Sequence, residues 1–159
     1  MLMAEYFNLS ETESQTLKLS AFVHDIGKIE VEREILNKPL PLNDEEWGII
    51  KQHPVWGAEI VSAIGVLQRC KPVILAHHEN FDGSGYPNGL KGEEIPFAAR
   101  ILRVVDSFDA MVTNRPYRQA LSFEESLAEI QLKAGSYFDP QVVEAFIKVS
   151  GRISQLLVS

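Results

Sequence analysis

"FAARILRVVDSFDAMV", residues 97–112, is strongly apolar, and its apolar residues recur at helical spacing. It predicts a helix in the middle of the fold. One acid interrupts the pattern: Asp106, one turn beyond Leu102, where an ionised carboxylate would be costly to bury without a partner. Something positive should face it, a metal ion in preference to an arginine such as Arg100 or Arg103. Asp109, one turn later, is read equally well as facing a metal or as an acid that is ion-paired or solvent-exposed.

Working outward, the punctuation on both sides is helical. Downstream, Ser122 with Glu125 forms a capping box, and "FDPQVVEAFIKV" offers Asp139 as a cap with Pro140 at the first helical position. Upstream, "SETE" at 10–13 is a second box, Ser10 with Glu13, whose helix should stop near Gly27. Asn43 with Glu46 makes a third box. A short turn of helix is expected around "EREILNK", ending before Pro39. Pro54 falls inside an apolar-periodic stretch from Trp47 to Ile64 and predicts a break beside His53. In "KPVILAHHEN", Pro72 sits in the first turn, where a missing N–H costs little. No alternating strand pattern, internal repeat or low-complexity segment appears. The expected fold is all-α, a single domain of roughly six or seven helices. Its longest irregular segment, residues 80–96, holds four glycines and two prolines, and a loop this long is more often functional than idle.

Composition narrows the function classes. A chain of 159 residues with 45% hydrophobic content is large enough to bury one core without disulfides. The single cysteine, Cys70, rules out a thiolate zinc cluster and an internal disulfide and fits a reducing, cytoplasmic setting. No apolar run approaches the ~20 residues needed to cross a bilayer, and "MLMAEYF" lacks the features of a secretory signal. A net charge of −7 argues against binding a nucleic-acid polymer. An anionic ligand would need local positive charge or bound metal.

All four histidines lie between residues 24 and 78: His24 beside Asp25, His53 at the proline break, and His77 with His78. Each alone has an ordinary structural explanation; together with Asp25 and Asp106 they suit zinc, iron, manganese or nickel. Adjacent side chains on a helix diverge by about 100° and chelate one ion poorly. The adjacency therefore predicts two ions, with neighbours reaching different ones and Asp25 able to bridge both. Paired metals ~3.5–4 Å apart activate water and clamp a phosphoryl group, so the implied reaction is phosphoester hydrolysis.

"HDIGK" at 24–28, "HP" at 53–54, "HHENFDGSGYP" at 77–87, "VVDSFDAM" at 104–111 and "NRPYRQAL" at 114–121 together resemble the HD-GYP family, a branch of the HD metal-dependent phosphohydrolases. The resemblance runs through to "SYFDPQVVEAF" and implies a helical HD-type domain over residues 1–159 with a long GYP loop. It further implies a bacterial signalling phosphodiesterase that hydrolyses cyclic di-GMP to the linear dinucleotide and/or GMP. The cofactor would be two or three divalent ions, iron or manganese. The implied metal ligands are His24, Asp25, His53, His77, His78 and Asp106. Lys28 matches the family lysine near the scissile phosphate, with compensation of a helix end as the alternative. Arg115 and Arg118 match positions that hold substrate phosphates, with Tyr117 between them read as packing. Tyr86 is an implied substrate contact, Asp82 a brace of the turn, and Gly83 and Gly85 loop scaffold; the loop is also where partner signalling domains would dock. Two departures stand out. The family begins with a further helix carrying another histidine, and often a glutamate, whereas none of the 23 residues before His24 is histidine, and Asn80 stands where arginine is commoner. The alternative to an enzyme is an inactive module of the same family that binds nucleotide or a partner protein.

Overall fold

The computed structural model describes residues 1–114 and 119–157, with side chains as far as Arg152. Among the described residues nine α-helices run in the order α1 (Leu2–Tyr6), α2 (Glu11–Val23), α3 (Arg33–Leu36), α4 (Asp44–Ile50), α5 (His53–Ser62), α6 (Lys71–Ala76), α7 (Phe97–Val112), α8 (Phe123–Leu132) and α9 (Pro140–Leu157). Three 3-10 segments, Ile26–Glu30, Gly65–Cys70 and Gly92–Glu94, join them, and no strand occurs among the described residues. The helix over Leu2–Tyr6 is unexpected, being a single turn too short to leave a periodic pattern, whereas the short turn expected around "EREILNK" is present as α3.

The helix starts lie where the caps place them. Ser10, Asn43 and Ser122 each accept from the backbone N–H three residues on, while Glu13, Glu46 and Glu125 accept in return from the cap's own N–H. Each box satisfies two otherwise orphaned donors. Asp139 Oδ1 accepts from Gln141 N–H at 2.8 Å, directly ahead of the helix that Pro140 opens. The proline break is also present: α4 ends at Ile50 and α5 restarts at His53, with Pro54 in its first turn. α2 stops earlier than the glycine suggests, at Val23, with His24 as its C-cap. Gly27 instead lies inside the 3-10 segment, pressed against α5. A Cβ there would collide with the His53 carbonyl oxygen and approach Gly57 N to 2.5 Å.

α7 is the axis of the fold. Ile101, Val104, Phe108 and Met111 pack into the main core with Leu17 of α2, Ile130 of α8, and Val142 and Phe146 of α9. Ala99 and Leu102 turn to a second cluster with Val73 and Ala76 of α6 and with Ile95. A third cluster, Val61, Cys70 and Ile74, joins α5 to α6 and takes Leu19 and Val23 of α2 against it. Packing on these faces brings the end of α2, the start of α5 and the end of α6 up to the middle of α7. No described helix is long and apolar enough to cross a membrane.

Candidate metal centre

Three histidines reach this meeting point by the same local device. The Nδ1 of His24 lies 2.9 Å from the carbonyl of Ala21, that of His53 lies 2.7 Å from the carbonyl of Ile50, and that of His77 bonds the carbonyl of Ile74. In each case the acceptor is three residues earlier, at a helix end where that carbonyl has lost its intrahelical partner. A neutral ring that donates from Nδ1 leaves the Nε2 lone pair facing inward.

The inward atoms surround Asp25. His53 Nε2 is 3.3 Å and His77 Nε2 4.0 Å from its Oδ1, and the two Nε2 atoms are 3.2 Å apart. One ligand atom each from Asp25, His53, His77 and His78 lies within 4.8 Å of the others. On the opposite side of the carboxylate, His24 Nε2 is 3.6 Å from Asp25 Oδ2 and 3.5 Å from Asp106 Oδ1, and Lys28 Nζ donates to Oδ2 at 2.6 Å. The six expected ligands thus meet in one cluster whose two halves share Asp25. The group facing Asp106 is His24, while Arg100 pairs with Asp139 at 2.7 Å and Arg103 donates to Asn80 at 2.9 Å.

The divergence expected of adjacent residues does not separate His77 from His78. α6 ends at Ala76, and the two rings follow with centroids 4.1 Å apart, both in the same donor group. The reason is that both lie beyond the helix, so the 100° step no longer applies. His24 and Asp25 do divide between the two halves.

The electrostatics of the cluster are those of a cation site. Burial pulls the His77 imidazole down to about 4, helped by His24 and His53. Burial also lowers His78 far below the usual range, with His77 and Arg103 adding to it. Both rings are therefore neutral at pH 7 and offer lone pairs. Burial works against ionised Asp25 and Asp106, yet both carboxyls are lowered, Asp25 by His53 and Lys28 and Asp106 by His24. For His24 burial is outweighed by Asp106 and Asp25, which raise it. Asp25 Oδ1 is buried and accepts no hydrogen bond. An orphaned carboxylate oxygen opposite two imidazole lone pairs 3.2 Å apart is repulsive unless a proton or cation lies among them. Mixed imidazole and carboxylate donors fit a first-row divalent ion.

The GYP loop forms one wall. Tyr86 stacks on His78, centroids 4.9 Å apart and planes 27° apart, and burial raises its phenol to about 12. Gly85 is required by close approach: a Cβ would overlap Asn80 N and lie 2.5 Å from Glu79 Cα. Asp82 braces the turn by accepting from Ser84 N–H at 2.9 Å. Sequence reasoning missed Glu79, only 1% exposed, which accepts from Asn88 N–H at 2.7 Å and Leu90 N–H at 3.1 Å and so ties the loop to the histidine pair. Its signal was an acid placed directly between the histidines and a glycine-rich loop. Lys28, His53, His78 and Tyr86 face a cleft of about 580 Å³, within the range of small-molecule sites. Arg115, Tyr117 and Arg118 lie outside the described residues.

Comparison with known proteins agrees with this layout. Residues 2–142 match the HD domain family. The chain is 44% identical over 156 residues to a cyclic di-GMP phosphodiesterase of Thermotoga maritima, covering 97% of this chain and 42% of that protein. It is 39% identical over 162 residues to the cyclic di-GMP phosphodiesterase response regulator RpfG of Xanthomonas campestris, covering 98% and 42%. It therefore spans less than half the length of these relatives. A crystal structure of a cyclic GMP-AMP specific phosphodiesterase of Vibrio cholerae superposes with a TM-score of 0.71 at 21% identity, covering 92% of this chain and 40% of that one, which shows a shared fold. With the His-Asp pair, the histidine pair and the GYP loop gathered on that fold, the chain belongs to the HD domain family, in its HD-GYP branch.

Proposed function

We propose that this domain is a metal-dependent phosphodiesterase acting on cyclic dinucleotides, cyclic di-GMP first, in bacterial second-messenger signalling. The observation that carries the reading is the Asp25 carboxylate, with one oxygen turned to His53 and His77 and the other to His24 and Lys28. That division supports His24, Asp25 and Asp106 as one ligand set and Asp25, His53, His77 and His78 as the other. Two or three divalent ions, iron or manganese, would then acidify a water and neutralise phosphoryl oxygens. The chain's own residues do the rest. The Ala21, Ile50 and Ile74 carbonyls orient three imidazoles, and Tyr86 holds the His78 ring by stacking. Lys28, free to exchange Asp25 for an anionic substrate, supplies positive charge at the cleft wall. Sequence alone supports Arg115 and Arg118 as phosphate contacts. The names of the two curated relatives support the choice of substrate.

The test is incubation of iron- or manganese-loaded protein with cyclic di-GMP, aerobically and anaerobically, with chromatography of the products. Linear dinucleotide or GMP should appear, and Asp25→Ala should lose more than the ~100-fold that changes one layer further from a metal cost. Binding without turnover under every condition would leave the inactive nucleotide-binding module as the correct reading.

A further inference from the structure

The cleft does not end at the donor cluster. Its remaining lining comes from α3, from the 37–43 segment and from α4, and includes Leu36, Pro39, Leu40, Pro41, Trp47 and Ile50. This wing is apolar, and its largest member is poorly covered: Trp47 is 46% exposed. Among the described residues that line this wing the cation is Lys38, and it is already committed, donating to both carboxylate oxygens of Glu46 at 2.7 Å. Glu46 in turn belongs to the capping box that starts α4, so the segment carrying Pro39 and Pro41 is strapped to the helix carrying Trp47.

The direction of α4 links this wing to the centre. Trp47 and Ile50 are three residues apart and share a face of the helix, and the Ile50 carbonyl accepts from the His53 ring. Trp47, Ile50 and His53 line the same cleft, so the indole and the first imidazole of the donor group face one continuous space. A ligand filling the whole cleft must be anionic where Lys28 and the donor cluster lie, and uncharged, flat and stackable where Trp47 and the two prolines lie. Inorganic phosphate meets only the first condition; a nucleotide unit meets both, with the ribose spanning the interval.

We infer that Trp47 is the platform on which one purine base of the cyclic dinucleotide stacks, with Pro39 and Pro41 as the facing wall, so that this wing positions the base while the centre receives its phosphate. The inference rests on the phosphodiesterase reading and adds to it a specificity-determining residue outside the five motifs. Every base has a π-face, so the platform selects for a base-bearing phosphodiester without by itself choosing between guanine and adenine.

The experiment compares wild type, Trp47→Ala and Trp47→Phe, all manganese-loaded, on cyclic di-GMP and on bis(4-nitrophenyl) phosphate. The second substrate carries no purine, and each of its rings hangs from the phosphorus through one ester oxygen with no ribose between. Trp47→Ala should raise KM for cyclic di-GMP about 10-fold or more, leave kcat nearly unchanged, and leave turnover of the nitrophenyl ester within about two-fold. Trp47→Phe should recover most of the loss. An unchanged KM for cyclic di-GMP, or an equal loss on both substrates, would overturn the platform. Calorimetric binding of cyclic di-GMP separates this outcome from failure of the hydrolase reading. If no variant turns over either substrate, a dissociation constant weakened about 10-fold by Trp47→Ala keeps the platform and removes the hydrolase; an unchanged or unmeasurable one removes the platform.

Discussion

On one side of α7, Ile101, Val104 and Phe108 meet Ile130, Val142 and Phe146 in an apolar core; on the other, Asp106 meets His24 in a cluster of imidazoles and carboxylates. In the first region each side chain has many neighbours of the same chemistry, dispersion and burial act in all directions, and no single contact is decisive. The polar region works differently. The Asp25 oxygen and the imidazole lone pairs opposite it repel one another unless a proton or cation lies among them, and three of the imidazoles are each aimed by one particular hydrogen bond. One helix serves both, which shows how a few polar positions are imposed on an apolar scaffold: the scaffold's stability allows the centre to be unfavourable by itself.

The contrast is open to measurement. Its largest expected consequence is in the core: Phe146→Ala, removing a fully buried ring, should destabilise by about 3–5 kcal/mol in urea titration, while the metal bound per folded chain stays unchanged. If ion content falls with it, the two regions are not separable. Next in size is the cation itself. Manganese added to the chelator-treated protein at ~100 times its dissociation constant should stabilise by about 2.7 kcal/mol, seen as a rise in Tm. An unchanged Tm would mean that the cluster is not metastable without its ion. Third, Glu79→Ala removes the buried carboxylate that accepts from the Asn88 and Leu90 backbone N–H groups and should cost about 1–3 kcal/mol. It should weaken cyclic di-GMP turnover through a loosened GYP loop, with ion content retained; lost ions would make Glu79 part of the centre. The smallest effect belongs to the surface: Ser122→Ala should cost about 1 kcal/mol in thermal or urea unfolding and leave turnover untouched, because the box it breaks is exposed and its bonds run only between Ser122 and Glu125.

Much of this was legible along the chain. Three capping boxes, the proline break before α5 and the proline starts of α6 and α9 were all read from residue types at fixed short offsets. Asp106 was legible because an acid in a strongly apolar helix needs a partner. The adjacent histidines were misjudged because the 100° rule presumes a helix, and α6 stops one residue short of them. Glu79 and Gly27 were missed or misplaced for a related reason: the loop N–H groups that Glu79 accepts from and the α5 backbone that Gly27 touches are not neighbours in sequence. Trp47 read only as part of an apolar-periodic stretch, since nothing near it in the chain indicates that its ring faces a cleft.

The sequence by itself determined where helices begin and end, and the orientation of three imidazoles, because capping and the bond from Nδ1 to the carbonyl three residues back are short-range and need no partner from elsewhere. Only the tertiary structure decided that His24, His53 and His77 converge on the two oxygens of Asp25, that Asp106 meets His24, and that the cleft beside them runs on to Trp47. Convergence of residues from three helix ends and the middle of α7 depends on how α2, α5 and α6 seat against α7. That seating is fixed by complementary apolar faces, whose pairing no local pattern encodes.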